Sequence, residues 1–557
     1  MKKLIFKLAL IVVIASGVLS CSKKIDEAYV NPNTDLILPP EQLLPYITNS
    51  MFANGNGHGP AHDARFIGQY VQNWFWAGVS SNYDRMGYTS STADVGQSMW
   101  RSHYYDIGQN NKKMIEWAID EKKWDYAGVG KAIFAWSWLS LTDIYGEVIL
   151  DEAFNTTLYT FKYNTQDQVY NYVRQLCFEA LDYLNRTGDN TGKLVSGDAY
   201  FYNGDVNKWK KFTYGILARY HHHLSNKATY NADSVIYYCN LSLANNSDNA
   251  TVKYAATGIS QNSNYFGTLR NNFPLGTNLS PTAIRQSAFI VNLMTGLNTT
   301  FNGVNDPRAI YLLRLNTKNT FRGLELAKGS QVLQDSIRPE NFHGVSQFAG
   351  ISTLGNDAAA RFIFRNASPT PVLTASEIQF MKAEAAYRKG DKPTALIAYR
   401  EGIKLHFDLL IADYNTNVPA ANLLTTAIRD AYLANTAVVP ASPNNLTLQQ
   451  IMLQKYIALW GYGVLETWVD MRRFHYTDQD PTGGNPGVQV YTNFNPPTVP
   501  IPPSTTADIF SPDNGGKLVY RIRPRFNSEY IWNINELNRI GALALDYHTK
   551  RMWFSEP

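Results

Sequence analysis

Residues 377–405 read EIQFMKAEAAYRKGDKPTALIAYREGIKL, and this stretch decides the fold. Ala383 and Ala386 precede Gly390-Asp391, a dipeptide that ends one helix and opens another. Ala395, Tyr399 and Gly402 then follow at spacings of four and three. The period is helical on both sides of the turn. Small residues let two antiparallel helices approach closely, and an aromatic ring fills the groove between them. The stretch therefore predicts a helical hairpin.

This pattern matches a tetratricopeptide repeat. Fewer than about three such units cannot bury a continuous core, so further units are expected. Residues 125–185 and 206–245 have suitable helix lengths and looser matches. Helical periodicity also predicts helices at 166–185, 206–226, 233–244, 374–389, 392–411, 447–460 and 462–473. The apolar stripe Phe66, Ile67, Tyr70, Val71, Trp74 and Phe75 predicts a helix running to about residue 78. Trp100, Tyr104, Ile107, Met114 and Ala118 predict a second, and 125–145 is apolar on most faces, as in a central buried helix.

Between about 246 and 373 the pattern changes to Asn, Ser, Thr and Gly with scattered aromatics, and 476–520 is similar. Both read as loop-rich insertions on a helical frame, and long irregular segments in a compact body are often binding loops. One domain per roughly 150 residues would predict several domains. Yet no linker tract interrupts the chain, and helical arrays grow by stacking. The expected fold is mainly α: a tetratricopeptide-like scaffold with an irregular lobe.

The N-terminus predicts a destination. Lys2, Lys3 and Lys7 precede the apolar run Leu8–Leu19, which stops at Ser20-Cys21. That is the layout of a secretory signal, too short for a membrane span of roughly 20 residues. Val18-Leu19-Ser20-Cys21 resembles a bacterial lipobox, in which Cys21 becomes the lipidated first residue of the mature chain. The expected organisation is a signal peptide at 1–20, a lipidated tether at 21–40 and a body at 41–557.

The net charge of +4 gives no footprint for nucleic acid. Beyond Cys21 only Cys177 and Cys239 remain, either bridged or buried as free thiols. Aromatic residues make 13% of the chain against 17% charged, with 35 tyrosines. Some of these rings fill a core; tyrosine and tryptophan also suit a surface that stacks on sugars.

Several motifs occur in a fixed order. Asp143-Ile144-Tyr145-Gly146-Glu147-Val148 is followed by Glu152-Ala153, then by Tyr163-Asn164-Thr165-Gln166. Gly204-Asp205-Val206-Asn207-Lys208-Trp209 follows, with Phe212 and Arg219. Later come Ala383-Glu384-Ala385, Gln454-Lys455-Tyr456, the run Glu466–Arg473, and Arg525–Glu529 with Asn533. Together, behind a lipobox, these resemble the SusD/RagB family of outer-membrane nutrient-binding lipoproteins. The resemblance implies four tetratricopeptide-like helix pairs. It also implies a TonB-dependent SusC-like barrel as partner and a glycan as ligand, or a peptide for RagB-type members. A helical scaffold that bridges membrane proteins without its own ligand is the alternative.

No motif for nucleophilic, metallohydrolase or nucleotide chemistry is present, so no enzyme activity, cofactor or resident metal is expected. His221-His222-His223 is not a metal site on a helix, because consecutive side chains point about 100° apart. Trp74, Trp100, Trp209 and Trp468 are assigned to the core. On the predicted helix, Trp76 falls on the polar face with Gln69, Gln72 and Asn73, and a loop follows with Tyr83, Asp84, Arg85 and Tyr88. The expected ligand contacts are Trp76, Tyr83 and Tyr88, completed by Tyr265 and Phe266 from the irregular lobe.

Overall fold

The computed structural model describes residues 38–78, 83–87, 97–255, 257–270, 272–273, 283–344, 357–497, 514, 516–524 and 526–557. Cys21, the signal peptide, nearly all of the tether and Tyr88 lie outside the described residues. Residues Pro40–Pro557 form one compact unit.

The frame is an array of helices: α1 Pro40–Ser50, α2 Pro60–Tyr70, α3 Asn110–Asp120, α4 Trp124–Tyr145, α5 Gln166–Asn185, α6 Val206–His223 and α7 Ala232–Leu241. After the irregular lobe follow α8 Ala375–Lys389, α9 Lys392–Asp413, α10 Leu448–Leu459 and α11 Val464–Arg473. Each of α3 to α7 packs on the next, α7 packs on α8, and α8 packs on both α9 and α10. The fold is the tetratricopeptide-like scaffold that the 377–405 pattern predicts.

The hairpin α8/α9 shows why. Thr374 caps α8 by accepting the Glu377 N–H at 3.2 Å. Gly390 ends it in the left-handed region, φ 86°. Asp391 then caps α9 through the Thr394 N–H. A Cβ at Gly402 would stand 3.0 Å from the Phe380 ring, so glycine is what lets the two backbones close. In the pair α4/α5, Gln166 at the start of α5 donates to the Thr142 carbonyl at the end of α4, 2.8 Å. Lys131 and Glu179 pair across the two helices at 2.6 Å, fixing an antiparallel arrangement.

The predicted helix through Trp100 is one continuous helical run, with a π-helical segment, Ser102–Gln109, ahead of α3. Cys177 and Cys239 are free, buried thiols, not a bridge. Burial pushes the Cys177 thiol well above its ordinary value.

One element departs from expectation. α2 ends at Tyr70, and Trp74–Trp76 forms a strand, β1. Gln72 takes φ 56°, and the Asn73 N–H reaches back to the Gly68 carbonyl at 2.8 Å, which ends the helix. Trp74 then folds back over Gly68, filling the space a side chain there would need. Its Nε1 donates to the Arg65 carbonyl at 2.9 Å. Strand β2, Ala250–Val252, comes before β3, Ile284–Gln286, and β4, Thr370–Leu373. β1 pairs antiparallel with β3, Trp76 opposite Ile284, and β2 pairs antiparallel with β4. Among the described residues, no helix is long and apolar enough to cross a membrane.

Candidate functional site

Strand alternation decides where the β1 side chains go. Trp74 packs into the main core against Phe273 (5.0 Å between ring centres) and Trp460 (6.0 Å). Phe75 points the other way, into a small cluster with Ala77, Ala283, Leu324 and Leu333. Trp76 returns to the first face and meets Phe66 from α2 at 6.0 Å and Tyr83 at 5.7 Å.

The result is a row of rings. Tyr83 contacts Phe66 at 5.3 Å. Phe66 contacts His62 at 5.5 Å, and His62 contacts Tyr265 at 6.3 Å. The Arg65 guanidinium lies over the Phe66 ring at 4.5 Å and donates to the Asn272 carbonyl at 3.1 Å. His62, Arg65 and Phe66 sit on one side of α2 because they are three and four residues apart.

The row is mostly interior, which corrects part of the expected platform. Tyr83 is 4% exposed, Tyr265 2% and Phe266 0%. Phe266 belongs to the core, edge-on to Phe52 at 5.4 Å and Phe273 at 4.8 Å, and presents no face to a ligand. Burial pushes the Tyr265 phenol up to about 12. Asp84 is also buried, its Oδ2 accepting the Ala327 N–H at 3.0 Å, so it is not an open acid. The physical reason is packing between segments distant in sequence: Tyr83 lies against Phe66 and Tyr70, Tyr265 against His62 and Phe266, and Phe266 against Phe52 and Phe273. Trp76 itself is half-buried, and its position comes from strand alternation and not from a polar helix face. Its indole Nε1 is buried and has no acceptor among the described residues, so it is the ring and not the N–H that is open. His62, with 34% of its side chain exposed, and Arg65 flank the row. Sequence reading missed both, although their spacing from Phe66 on α2 was visible. Trp76 therefore offers part of its ring surface, and Arg65 and His62 lie against the same Phe66 ring that it meets.

The remaining polar motifs meet elsewhere, inside the scaffold. Glu384 on α8, Asp470 and Arg473 on α11 and His222 on α6 form a buried ion network, Arg473 pairing with Glu384 at 2.8 Å and Asp470 at 2.7 Å. Lys455 pairs with Asp470 at 2.8 Å. Beside it, His223 lies between Glu466 (3.0 Å) and Asp143 (3.2 Å). The three histidines point apart, as consecutive helical residues must: His221 stacks on Tyr238 at 5.2 Å, and the other two face separate carboxylates. Asp143-His223-Glu466 and His222-Glu384-Asp470 have ligand atoms close enough for a cation. However, Arg219, Arg473 and Lys455 already pair with carboxylates of these groups. The arrangement is a set of buried ion pairs that ties α6, α8, α10 and α11 together. Trp74, Trp209 and Trp468 are fully buried and Trp100 is 6% exposed, as core residues.

Comparison with known proteins adds to this geometry. Residues 32–494 match the family model SusD-like_2, described as starch-binding and associating with the outer membrane. No curated protein matches the sequence significantly. Among solved structures, a SusD/RagB family protein from Bacteroides thetaiotaomicron superimposes with TM-score 0.65 at 18% identity, covering 93% of this chain and 99% of its own. A chitin-binding SusD homologue from Flavobacterium johnsoniae gives 0.61 at 15% identity, covering 93% and 98%. A further structure, titled a chitin-binding protein, gives 0.62 at 20% identity, covering 93% and 100%.

Proposed function

The chain belongs to the SusD-like family, and from that premise we propose that it is a surface-exposed lipoprotein that captures glycans and delivers them to a TonB-dependent SusC-like transporter. The match to an outer-membrane-associated, starch-binding family over residues 32–494 carries this reading. The chitin-binding descriptions of two structural relatives point to the same ligand class. The proposed anchor is lipid on Cys21, with residues 21–40 as tether and 41–557 as the body that holds the ligand.

Trp76 is the proposed contact residue. A sugar ring has C–H patches that pack on an indole and hydroxyls that accept from Arg65 or His62. The protein acts by binding, and the buried ion pairs serve the scaffold. Two measurements test the reading. Retention of the full chain on insoluble starch or chitin supports glycan capture; selective retention of peptides would move it to the peptide-binding class. Co-purification from detergent-solubilised outer membranes with a large β-barrel supports the transporter partnership, and a chain that always elutes alone contradicts it.

A further inference from the structure

A cleft lies where α1, the turn before α6 and the segment after β2 meet. It has a volume of about 250 Å³ and is lined by Tyr46, Asn49, Tyr200, Lys253, Gln261 and Asn262, among others. Two tyrosine rings are open to solvent there, Tyr46 37% exposed and Tyr200 47%. They come from separate elements, α1 and the turn before α6.

The walls are held in place. The Tyr46 hydroxyl donates to Asp106 Oδ1 at 3.0 Å and accepts from Asn54 Nδ2 at 3.1 Å, which fixes the ring and leaves its face free. The Lys253 N–H donates to the Tyr200 carbonyl at 3.0 Å, joining the turn to the end of β2. Behind them the Tyr254 hydroxyl bonds Thr370 at 2.9 Å, pinning the same segment to β4.

Gln261 Oε1 accepts from the Ser260 hydroxyl and Asn262 Nδ2 donates to the Thr257 hydroxyl, which leaves Gln261 Nε2 and Asn262 Oδ1 without a bond inside the protein among the described residues. The Asn49 carboxamide and the Lys253 ammonium make no hydrogen bond or ion pair among the described residues. Among the described residues the lining contains no carboxylate. Exposed rings give apolar faces, carboxamides give paired donors and acceptors, and one ammonium gives donors only. That combination matches a neutral, polyhydroxylated ring. It does not match a cationic ligand, which would need an acid, or an aliphatic one, which would leave the amides unpaired.

We propose that this cleft is a second glycan subsite, taking one or two neutral sugar units of the same chain that contacts Trp76. The inference rests on the glycan-binding reading above. Its spatial support is that Gln261 lies four residues before Tyr265, the end of the aromatic row. Four residues span at most about 13 Å. A glycan of several units therefore reaches from one site toward the other, and a disaccharide occupies one only.

The test is calorimetric titration of the full, detergent-solubilised chain with the N-acetylglucosamine hexamer and with maltoheptaose. Tyr200→Ala and Lys253→Met remove groups that the core does not use, so both variants should keep the wild-type circular dichroism and melting temperature. For the glycan that the wild type binds, Tyr200→Ala should weaken affinity about five- to tenfold and Lys253→Met about threefold. Wild-type affinity in both variants, with a loss in Trp76→Ala, overturns the second subsite and leaves the glycan reading intact. Loss in Tyr200→Ala with none in Trp76→Ala supports the cleft and makes it the principal site. Failure of the wild type to bind either probe overturns the subsite together with the glycan reading.

Discussion

The guanidinium of Arg473 clamps the carboxylate of Glu384 through two hydrogen bonds of 2.8 Å each, Nη1 to Oε1 and Nη2 to Oε2, across 89 residues of sequence. Both side chains are fully buried. The pair locks α11 to α8, and His222 adds α6 through the same carboxylate at 2.7 Å. Two bonds in a fork specify geometry as well as attraction. Burying two charges is costly, so the pair specifies the arrangement of helices more than it adds net stability.

Removing one member should therefore be far worse than removing both. Glu384→Ala leaves Arg473 under-compensated, with Asp470 as its remaining acid, and should lower stability by about 3–5 kcal/mol. The double variant Glu384→Leu with Arg473→Met should recover much of that loss. Chemical denaturation with far-ultraviolet circular dichroism measures both, and equal losses in the two variants would count against the ion-pair account.

The neighbouring histidines predict a stability optimum. Burial alone would lower His223, but Glu466 and Asp143 outweigh it and raise it to about 9. Its contribution is complete below the ordinary value of about 6.5 and is lost as pH rises through about 9. His222 is opposite: burial, Arg473 and Lys455 hold it down to about 3 against the pull of Glu384. It is neutral in the fold, so its contribution is complete above about pH 6.5 and is lost as pH falls toward 3. At about 1.4 kcal/mol per pKa unit each arm amounts to a few kcal/mol. Unfolding free energy should peak near pH 6–7, and His223→Gln should flatten the alkaline arm. An unchanged alkaline arm in that variant would assign the loss to other groups.

Gly68 sets the position of β1. A methyl group there displaces the Trp74 indole, whose ring occupies that space. Gly68→Ala should destabilise by about 1–3 kcal/mol and shift Trp76 with the strand. Thermal melts measure the first effect and quenching of tryptophan fluorescence by acrylamide the second. A variant with wild-type stability and quenching would show that the ring has room to move.

The anchor is tested at Cys21. Cys21→Ala should move the protein from the membrane fraction to the soluble fraction, because three acyl chains at about 0.8 kcal/mol per buried CH₂ hold effectively permanently. A variant that stays in the membrane, or a wild-type N-terminus without lipid by mass spectrometry, would contradict it.

The scaffold was legible in the sequence because its cause is local. Ala383, Gly390, Asp391 and Gly402 state a close-packed hairpin through spacing and capping alone, and the predicted 166–185 coincides with α5. The end of α2 was not legible. Phe66 to Phe75 keeps helical spacing, but the turn depends on contacts distant in sequence. Ser287 bonds the Gln72 carbonyl, the Gly461 N–H bonds Asn73 Oδ1 at 3.1 Å, and β3 pairs with β1. For the same reason Tyr83, Tyr265 and Phe266 looked available as ligand contacts, because burial by segments distant in sequence leaves no periodic trace. The charged motifs were visible one by one. Their convergence on one network was not, since Asp143, His223, Glu384, Glu466 and Arg473 come from four helices.

The central claim is that this chain holds a glycan at Trp76. Isothermal titration of the wild type and of Trp76→Ala with maltoheptaose and the N-acetylglucosamine hexamer tests it most directly. The account predicts saturable binding of at least one of the two by the wild type, and about tenfold weaker binding by a folded Trp76→Ala. Equal affinity in the two proteins, or no heat of binding with either glycan, would contradict it.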